Sequence, residues 1–163
     1  MNRLRKQIHS TLQGRVGFMG LGNVDEGDDG FGVHLAEALA CAGVPDVISA
    51  GIVPEQRVGR FADRGFDHLV FLDAVNFGAA PGSVIFLNSQ EMAARFPQIS
   101  THRISLGMLA KYVESNGHTQ AWLLGAQPAT LKPLSPLSPV IQTALTILAE
   151  LVGNIIHEQM ETS

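Results

Sequence analysis

Three polar residues, Asp29, Asp73 and His102, are of types that bind metal ions and occur where predicted structural elements begin or end. Asp29 lies at the start of a predicted helix, and Asp73 follows the apolar run that forms a predicted buried strand. His102 follows two small hydroxyl residues at the start of another predicted helix. One imidazole and two carboxylates suit a divalent first-row metal, although the ligand types do not separate nickel from zinc. Such a site requires the three segments to converge.

The glycine-rich segment from Gly20 to Gly32 begins like a dinucleotide-binding fingerprint, but Asp25 stands where the third glycine would be. Glu26, Asp28 and Asp29 add further negative charge. Each acidic group would repel a phosphate by about 1 kcal/mol at contact distance in water. The segment therefore favours a cation over a nucleotide. Asp28 is predicted to cap the helix that follows, a role that needs no ligand.

Other catalytic patterns are missing from the sequence. It has no Gly-x-Ser-x-Gly segment, no His-Glu-x-x-His segment and no Walker lysine. Cys41, the single cysteine, lies at the apolar end of a predicted helix and is interpreted as ordinary packing. His34 and His68 fall inside a predicted helix and a predicted strand, and we interpret both as structural. Asp29, Asp73 and His102 remain the candidates for chemistry.

Apolar runs of two kinds alternate along the chain and predict strands alternating with helices. Strands are predicted at Arg15–Gly20, Val47–Ala50, Asp67–Ala74, Ser83–Leu87 and Gln120–Gly125. Helices are predicted at Asp29–Ala42, at Pro54–Arg64, at Ser100–Ser115, and from the N-cap Ser138 to about His157. This alternation indicates an α/β fold with a largely parallel sheet covered by helices on both faces. Sheets of this kind bind ligands at the carboxyl ends of their strands.

The composition limits the function classes. With 163 residues and 45% hydrophobic content, the chain predicts one compact domain over residues 15–158, preceded by an N-terminal appendage at residues 1–14. The net charge of −4 and 11 scattered basic residues leave no cationic stripe for nucleic acid or anionic lipid. The N-terminal residues lack the apolar stretch of a secretion signal or membrane span. A single cysteine fits a reducing compartment, so we expect a cytoplasmic protein without membrane or nucleic-acid partners.

Six short motifs occur in order between about Val16 and Glu150. They are Gly20-Leu-Gly-Asn23, Asp28-Asp-Gly-Phe-Gly32, Leu72-Asp-Ala74, Pro81-Gly82, Ser100-Thr-His102 and Leu124-Gly-Ala-Gln-Pro128. In order and spacing, the set closely resembles the hydrogenase maturation protease family. Asp25 and Glu26 depart from the apolar pair common at these positions in that family, which makes this segment more acidic.

The resemblance implies a three-layer helix-sheet-helix sandwich around a mostly parallel twisted sheet. It also implies an endopeptidase that removes a short C-terminal extension from a hydrogenase large-subunit precursor after nickel insertion. The metal-contacting positions of the family fall on Asp29, Asp73 and His102, which would be both the metal ligands and the catalytic residues. The nickel would be carried by the precursor, and no tightly bound organic cofactor is expected.

Two other functions fit the same residues. One is a nickel-binding assembly chaperone that cuts nothing, and the other is a general metallopeptidase on a similar scaffold. For the peptidase itself, the mechanism of hydrolysis stays open. The metal could polarise the carbonyl or activate water, or Asp29 or Asp73 could act as a base.

Overall fold

A five-stranded sheet forms the centre of the computed structural model, which describes residues 1–96 and 104–162. The strands are β1 (Val16–Leu21), β2 (Val47–Gly51), β3 (His68–Ala74), β4 (Val84–Asn88) and β5 (Gln120–Ala126). Their order across the sheet is β2-β1-β3-β5-β4. Four of them run parallel, and β4 pairs antiparallel with β5 at one edge. The mostly parallel sheet is thus confirmed.

Helices cover both faces of the sheet. They are α1 (Asn2–Thr11), α2 (Phe31–Cys41), α3 (Val58–Ala62), α4 (Ser89–Arg95), α5 (Leu106–Glu114) and α6 (Pro139–Thr162), with 3-10 turns at Gly27–Gly30 and Pro54–Gln56. Side chains of α1, α2 and α6 form one core with Val70 and Leu72 of β3. Side chains of α3, α4 and α5 form a second core with Leu69 and Phe71. Successive side chains of β3 point to opposite faces of the sheet, so they contribute alternately to the two cores. The predicted three-layer sandwich is confirmed.

The connections of the chain reverse direction between β1 and β3. From β1 the chain passes through α2 to β2 on one side, whereas β3 leads on to β4 and β5 on the other. In register, Gly20 of β1 lies beside Leu72 of β3. The loops that follow β1 and β3 therefore lead to opposite sides of the sheet, which leaves a crevice between them at the carboxyl ends of these strands. Asp29 and Asp73 both belong to this end of the sheet.

Three predicted helices need correction, and two helices, α1 and α4, were not predicted. The helix predicted at Pro54–Arg64 is the 3-10 turn Pro54–Gln56 followed by α3, which ends at Ala62. The helix predicted from Asp29 starts as the 3-10 turn Gly27–Gly30 and becomes α-helical at Phe31. Of the helix predicted from Ser100, residues 100–103 lie outside the described residues. The described helix begins at Leu106, where the hydroxyl of Ser105 accepts the N–H of Met108 and caps it. Helix α4 was not predicted. The residue pair Asn88 and Glu91, which forms a capping box at its start, was the available signal.

The two terminal helices pack together on the first core. Ile8 and Leu12, which the sequence assigns to an appendage, are 1% exposed and join the core beneath α6. The domain boundary at residue 15 stays a prediction. Helix α6 is long and apolar enough to cross a membrane by length and composition alone. However, its residues Ile141, Leu148 and Val152 are fully buried, so packing against the core accounts for its apolar character.

Candidate active site

Asp29 lies in the 3-10 turn between β1 and α2 and is only 3% exposed. Its Oδ2 accepts the backbone N–H of Asn23 at 2.9 Å. Asn23 in turn accepts the N–H of Asp25 on its own Oδ1 at 2.9 Å, which closes a turn over the end of β1. These contacts fix the Asp29 carboxylate at the carboxyl edge of the sheet, where the sequence placed it.

Asp73 is the penultimate residue of β3 and is 1% exposed. It pairs in register with Gly125 of β5, so it lies between two strands in the middle of the sheet. Asp73 shares the parity of Leu69 and Phe71, which places its side chain on the face covered by α3, α4 and α5. A carboxylate at such a buried strand end has to be hydrogen-bonded, paired or coordinated.

Gly22 brings the two aspartates together. Its φ of +123° belongs to a region that residues with a Cβ rarely adopt. A Cβ added there would collide with the carbonyl oxygen of Asp29 and would lie 3.6 Å from Oδ1 of Asp73. The backbone of the Asp29 turn and the carboxylate of Asp73 are therefore both packed around one α-carbon. The sequence motif contained this glycine, but its role as a spacer between the aspartates was not predicted.

His102 lies outside the described residues. The described element that follows it is α5, which begins beside α4, because a Cβ added at Gly107 would meet Ala93 at 2.9 Å. Within residues 1–96 and 104–162, no three His, Cys, Asp or Glu side chains gather into a metal site. The structure thus places two of the three predicted ligand residues, Asp29 and Asp73, and the ligand role of all three stays a prediction.

Asp28 has a structural role that differs from the predicted one. It does not cap its own helix. Its carboxylate, which is fully buried, accepts four hydrogen bonds of 2.7–3.1 Å from the N–H groups of Ala129, Thr130 and Ser138 and the hydroxyl of Ser138. We call residues 129–138 the strap. Asp28 therefore ties the strap to the turn that carries Asp29.

The ionisation of Asp28 follows from these contacts. Burial is the largest single influence and raises its pKa, because it disfavours the charged form. The hydrogen bonds from Ser138, Ala129 and Thr130 act in the opposite direction and together outweigh burial. The pKa of Asp28 consequently lies below its ordinary value, and the group is a carboxylate at neutral pH.

The loop after Asp73 is held by Gln127, which belongs to the sequence motif that ends at Pro128 but was not predicted as a site residue. Gln127, 8% exposed at the end of β5, accepts the N–H groups of Phe77 and Ala79 on Oε1. Its amide also donates to Oδ1 of Asn76 at 3.2 Å. Gln127 thus pins the chain that leaves β3, and its place directly after a buried strand was the available signal.

The remaining chemical candidates lie elsewhere. Cys41 is exposed at the last residue of α2, so its interpretation as core packing is wrong. His68 accepts the indole N–H of Trp122 on Nδ1 at 3.0 Å, as expected of a structural histidine. Burial is the main cause that lowers the pKa of His68, against smaller opposing effects of Asp67 and the backbone of Gln13. A neutral imidazole suits this acceptor role.

Comparison with known proteins gives a consistent assignment. A sequence model of the family described as "HycI: Hydrogenase maturation protease" matches residues 33–155, a range that includes Asp73 and His102. The hydrogenase 2 maturation protease of Escherichia coli K12 is 30% identical over 152 residues, which cover 88% of this chain and 92% of that protein. The hydrogenase 3 maturation protease of the same organism is 29% identical over 82% of this chain and 86% of its own.

Solved structures agree with the sequence comparisons. The [NiFe] hydrogenase maturation protease HycI from Thermococcus kodakarensis KOD1 superposes with a TM-score of 0.82 at 30% identity, over 95% of this chain and 99% of that one. The hydrogenase maturating endopeptidase HybD from Escherichia coli superposes with a TM-score of 0.74 at 26% identity, over 88% and 93%. The matched family range, these identities and the shared fold show that this chain belongs to the hydrogenase maturation protease family and is a peptidase.

Proposed function

We propose that this peptidase removes the C-terminal extension of a hydrogenase large-subunit precursor and recognises the nickel that the precursor already carries. Asp29, Asp73 and His102 are the proposed ligands of that nickel. The observation that carries the proposal is the placement of two buried carboxylate residues around Gly22, in the crevice between β1 and β3. The family membership supports the substrate class.

The electrostatics of the crevice favour a cation. Asp29 and Asp73 come from different elements but adjoin the same α-carbon, and both are almost fully buried. Buried charges in proteins are generally paired or coordinate a metal ion. A divalent metal ion bound beside these residues would be the largest local charge and would attract both carboxylates. Nickel bound in a precursor with open coordination positions would supply such a charge.

The path of the chain supports His102 as the third ligand. Helix α5 ends near the start of β5, where Glu114 accepts the N–H of Ala121 at 2.9 Å. Since β5 runs parallel to β3 and α5 leads into it, the start of α5 lies toward the carboxyl edge of the sheet. His102 precedes Ser105, the N-cap of this helix. Asp73 faces the layer to which α5 belongs, and this supports the proposed pairing of Asp73 with His102.

Nickel recognition would serve as a test of readiness. Side chains that bind the precursor's nickel would hold the neighbouring scissile peptide at a fixed place, which converts cleavage into an intramolecular step. Hydrolysis adds water to the carbonyl carbon and breaks the C–N bond, and the released amine takes a proton. The metal or one of the two aspartates would activate that water. A precursor without nickel would lack the anchor.

The proposed setting follows from the same reasoning. The partner is the large-subunit precursor, and the metal arrives as part of that substrate instead of residing in the protease. No organic cofactor takes part in the proposed reaction. We place the reaction in the cytoplasm, where a precursor would be loaded and then trimmed.

The test is the mass of a purified nickel-loaded precursor before and after incubation with the protease. We expect wild type to shorten it by its C-terminal extension. Asp29→Asn, Asp73→Asn and His102→Gln should each slow cleavage by at least about 10- to 100-fold, since even residues outside the ligand set have effects of that size at metal sites. Each change nearly preserves side-chain size, so folding should persist and can be checked by circular dichroism.

Matched controls distinguish the effect of these substitutions at the site from the effect of the same substitutions elsewhere on the protein. Asp63→Asn and His9→Gln make the same chemical changes at exposed positions, so cleavage by these variants should equal that of wild type. A precursor whose mass stays unchanged with wild type would indicate a protein that binds without cutting. Full activity in one of the three site variants would remove that residue from the site.

A further inference from the structure

The strap is hydrogen-bonded at both of its ends to the turn that carries Asp29. Asp28 holds both of its ends, at Ala129 and Thr130 on one side and at Ser138 on the other. The backbone adds a further bond, in which the N–H of Asp28 donates to the carbonyl of Thr130 at 2.9 Å. Gly27 lies so close to Thr130 that an added Cβ would come within 2.9 Å of its carbonyl oxygen. This segment without regular secondary structure is therefore fixed against the β1–α2 turn.

At its tip, the strap holds a leucine in an unfavourable conformation. Leu134 has a φ of +61°, and among the described residues it is the one non-glycine residue with a positive φ. Left-handed backbone is rare for such a side chain and persists where the surroundings impose it. Leu134 is nonetheless 87% exposed, and Leu131 beside it is 48% exposed. Packing within the chain does not account for two apolar side chains directed to solvent on a strained loop.

A chain of three hydrogen bonds connects this tip to the Asp29 carboxylate. The N–H of Leu134 donates to the carbonyl of Asp25 at 2.7 Å. The N–H of Asp25 donates to Asn23 at 2.9 Å, and the N–H of Asn23 donates to Oδ2 of Asp29 at 2.9 Å. The strap tip and the site are thus parts of one bonded unit.

An apolar depression lies on the other side of the same turn. It has a volume of about 380 Å³ and lies between the loops after β1 and β2. Val24 and Ile52 line it, and they are 44% and 50% exposed. Val24 is next to Asp25, the residue that binds the strap tip. Val24 and Ile52 on this side of the turn and Leu131 and Leu134 on the strap are exposed apolar side chains around it, and we call the four together the apolar rim.

We propose that the apolar rim docks an apolar segment of the hydrogenase large-subunit precursor next to its cleavage position. This inference rests on the proposed function, because it names where the same substrate binds. Continuity with the Asp29 turn argues for this occupant, because three hydrogen bonds join Leu134 to the Asp29 carboxylate and Val24 lies within the same turn. Asp25 is exposed and Glu26 is half-buried beside the rim, so a segment that combines apolar with basic residues would match it.

The test uses Leu134→Asn, alone and with Leu131→Asn. Asparagine tolerates left-handed backbone better than leucine, so Tm should stay equal or rise. Loss of docking should weaken binding to the nickel-loaded precursor of the same organism about tenfold, since one buried leucine side chain contributes about that factor. The loss should appear mainly as a higher KM. Leu134→Met keeps an apolar side chain and should bind more tightly than Leu134→Asn.

Ile147→Gln removes an apolar side chain that is 40% exposed on α6 and should bind and cleave like wild type. Equal Kd and KM for wild type and the double asparagine variant would overturn the docking proposal. Precursor binding is measured separately from cleavage. If wild type binds but does not shorten the precursor, the proposed cleavage is wrong. The docking proposal is then still tested by comparing the Kd of wild type with that of the asparagine variants. If wild type does not bind the precursor, both proposals are wrong.

Discussion

At the scale of single residues, the candidate site depends on a backbone position without a side chain. Gly22 has a φ of +123° and touches the backbone of Asp29, while Asp73 lies within ordinary contact distance of any Cβ built there. The neighbour that such a Cβ would strike is a backbone oxygen, which no rotamer change can move away. The close approach of the Asp29 turn to this end of β3 thus depends on this glycine.

Gly22→Ala should displace the Asp29 turn and abolish most cleavage, in addition to destabilising the fold. The left-handed backbone alone costs a residue such as alanine about 1–3 kcal/mol, and the collision adds to that. Urea unfolding and the rate of precursor cleavage measure the two effects.

Gly65→Ala is the matched control for this substitution. Gly65 also has a positive φ, of +77°, but an added Cβ would meet nothing within 4 Å. Its loss of stability should reflect backbone strain alone, and cleavage should persist. If Gly22→Ala proves as mild as Gly65→Ala and as active, close packing around Gly22 does not set the site.

Residue types predicted some of these positions and not others. Asp73 was predictable because it ends an apolar run, and such strands expose their carboxyl ends to ligands. The hydrogen-bond partners of Asp28 were not predictable, since Ala129 and Ser138 lie 101 and 110 positions away in sequence. The local sequence predicted that Asp28 caps a helix, but its carboxylate instead accepts hydrogen bonds from residues distant in sequence. Exposure of Cys41 likewise depends on which side of α2 meets the sheet.

At the scale of elements, the strap is held to the β1–α2 turn through one ionised group. Since the pKa of Asp28 is lowered by folding, its contribution to the free energy of unfolding is fully present above the unfolded value, about 3.9. It is lost as the pH falls from there through the lower folded pKa, because the unfolded chain then binds the proton more readily.

Asp28→Asn should destabilise the protein at pH 7 by about 1–3 kcal/mol, because the amide leaves buried N–H groups without an acceptor. The difference from wild type should shrink as the pH falls below about 4. Urea unfolding at pH 7 and at pH 3 to 4 measures it, and Asp63→Asn serves as an exposed control. A difference that stays constant over this range would show that the Asp28 charge does not hold the strap.

Strand β4 and helix α4 differ from a regular alternation of parallel strands and helices, and each difference has a local cause. The connection between β3 and β4, residues 75–83, contains no helix and is too short for a parallel crossover, so β4 turns back antiparallel beside β5. Helix α4 was missed because its apolar pattern is short, with Met92 as its buried residue. Its capping box identifies it better than its periodicity does.

At the scale of the whole molecule, the strand order explains how distant segments form one site. The reversal between β1 and β3 opens a crevice, to which the turn after β1 contributes Asp29 and the end of β3 contributes Asp73. Alternating strands and helices were sufficient to predict this architecture. The convergence of His102 with the two aspartates rests on the proposed function, and it defines the central claim: metal carried by the substrate licenses cleavage.

The most direct test compares one precursor in two states, nickel-loaded and nickel-free, incubated with wild-type protease and examined by intact mass. The loaded form should lose its C-terminal extension, whereas the nickel-free form should keep its full mass under the same conditions. Nickel added back to the nickel-free precursor and inserted there should restore cleavage. Efficient shortening of the nickel-free precursor would contradict the claim that Asp29, Asp73 and His102 recognise the metal.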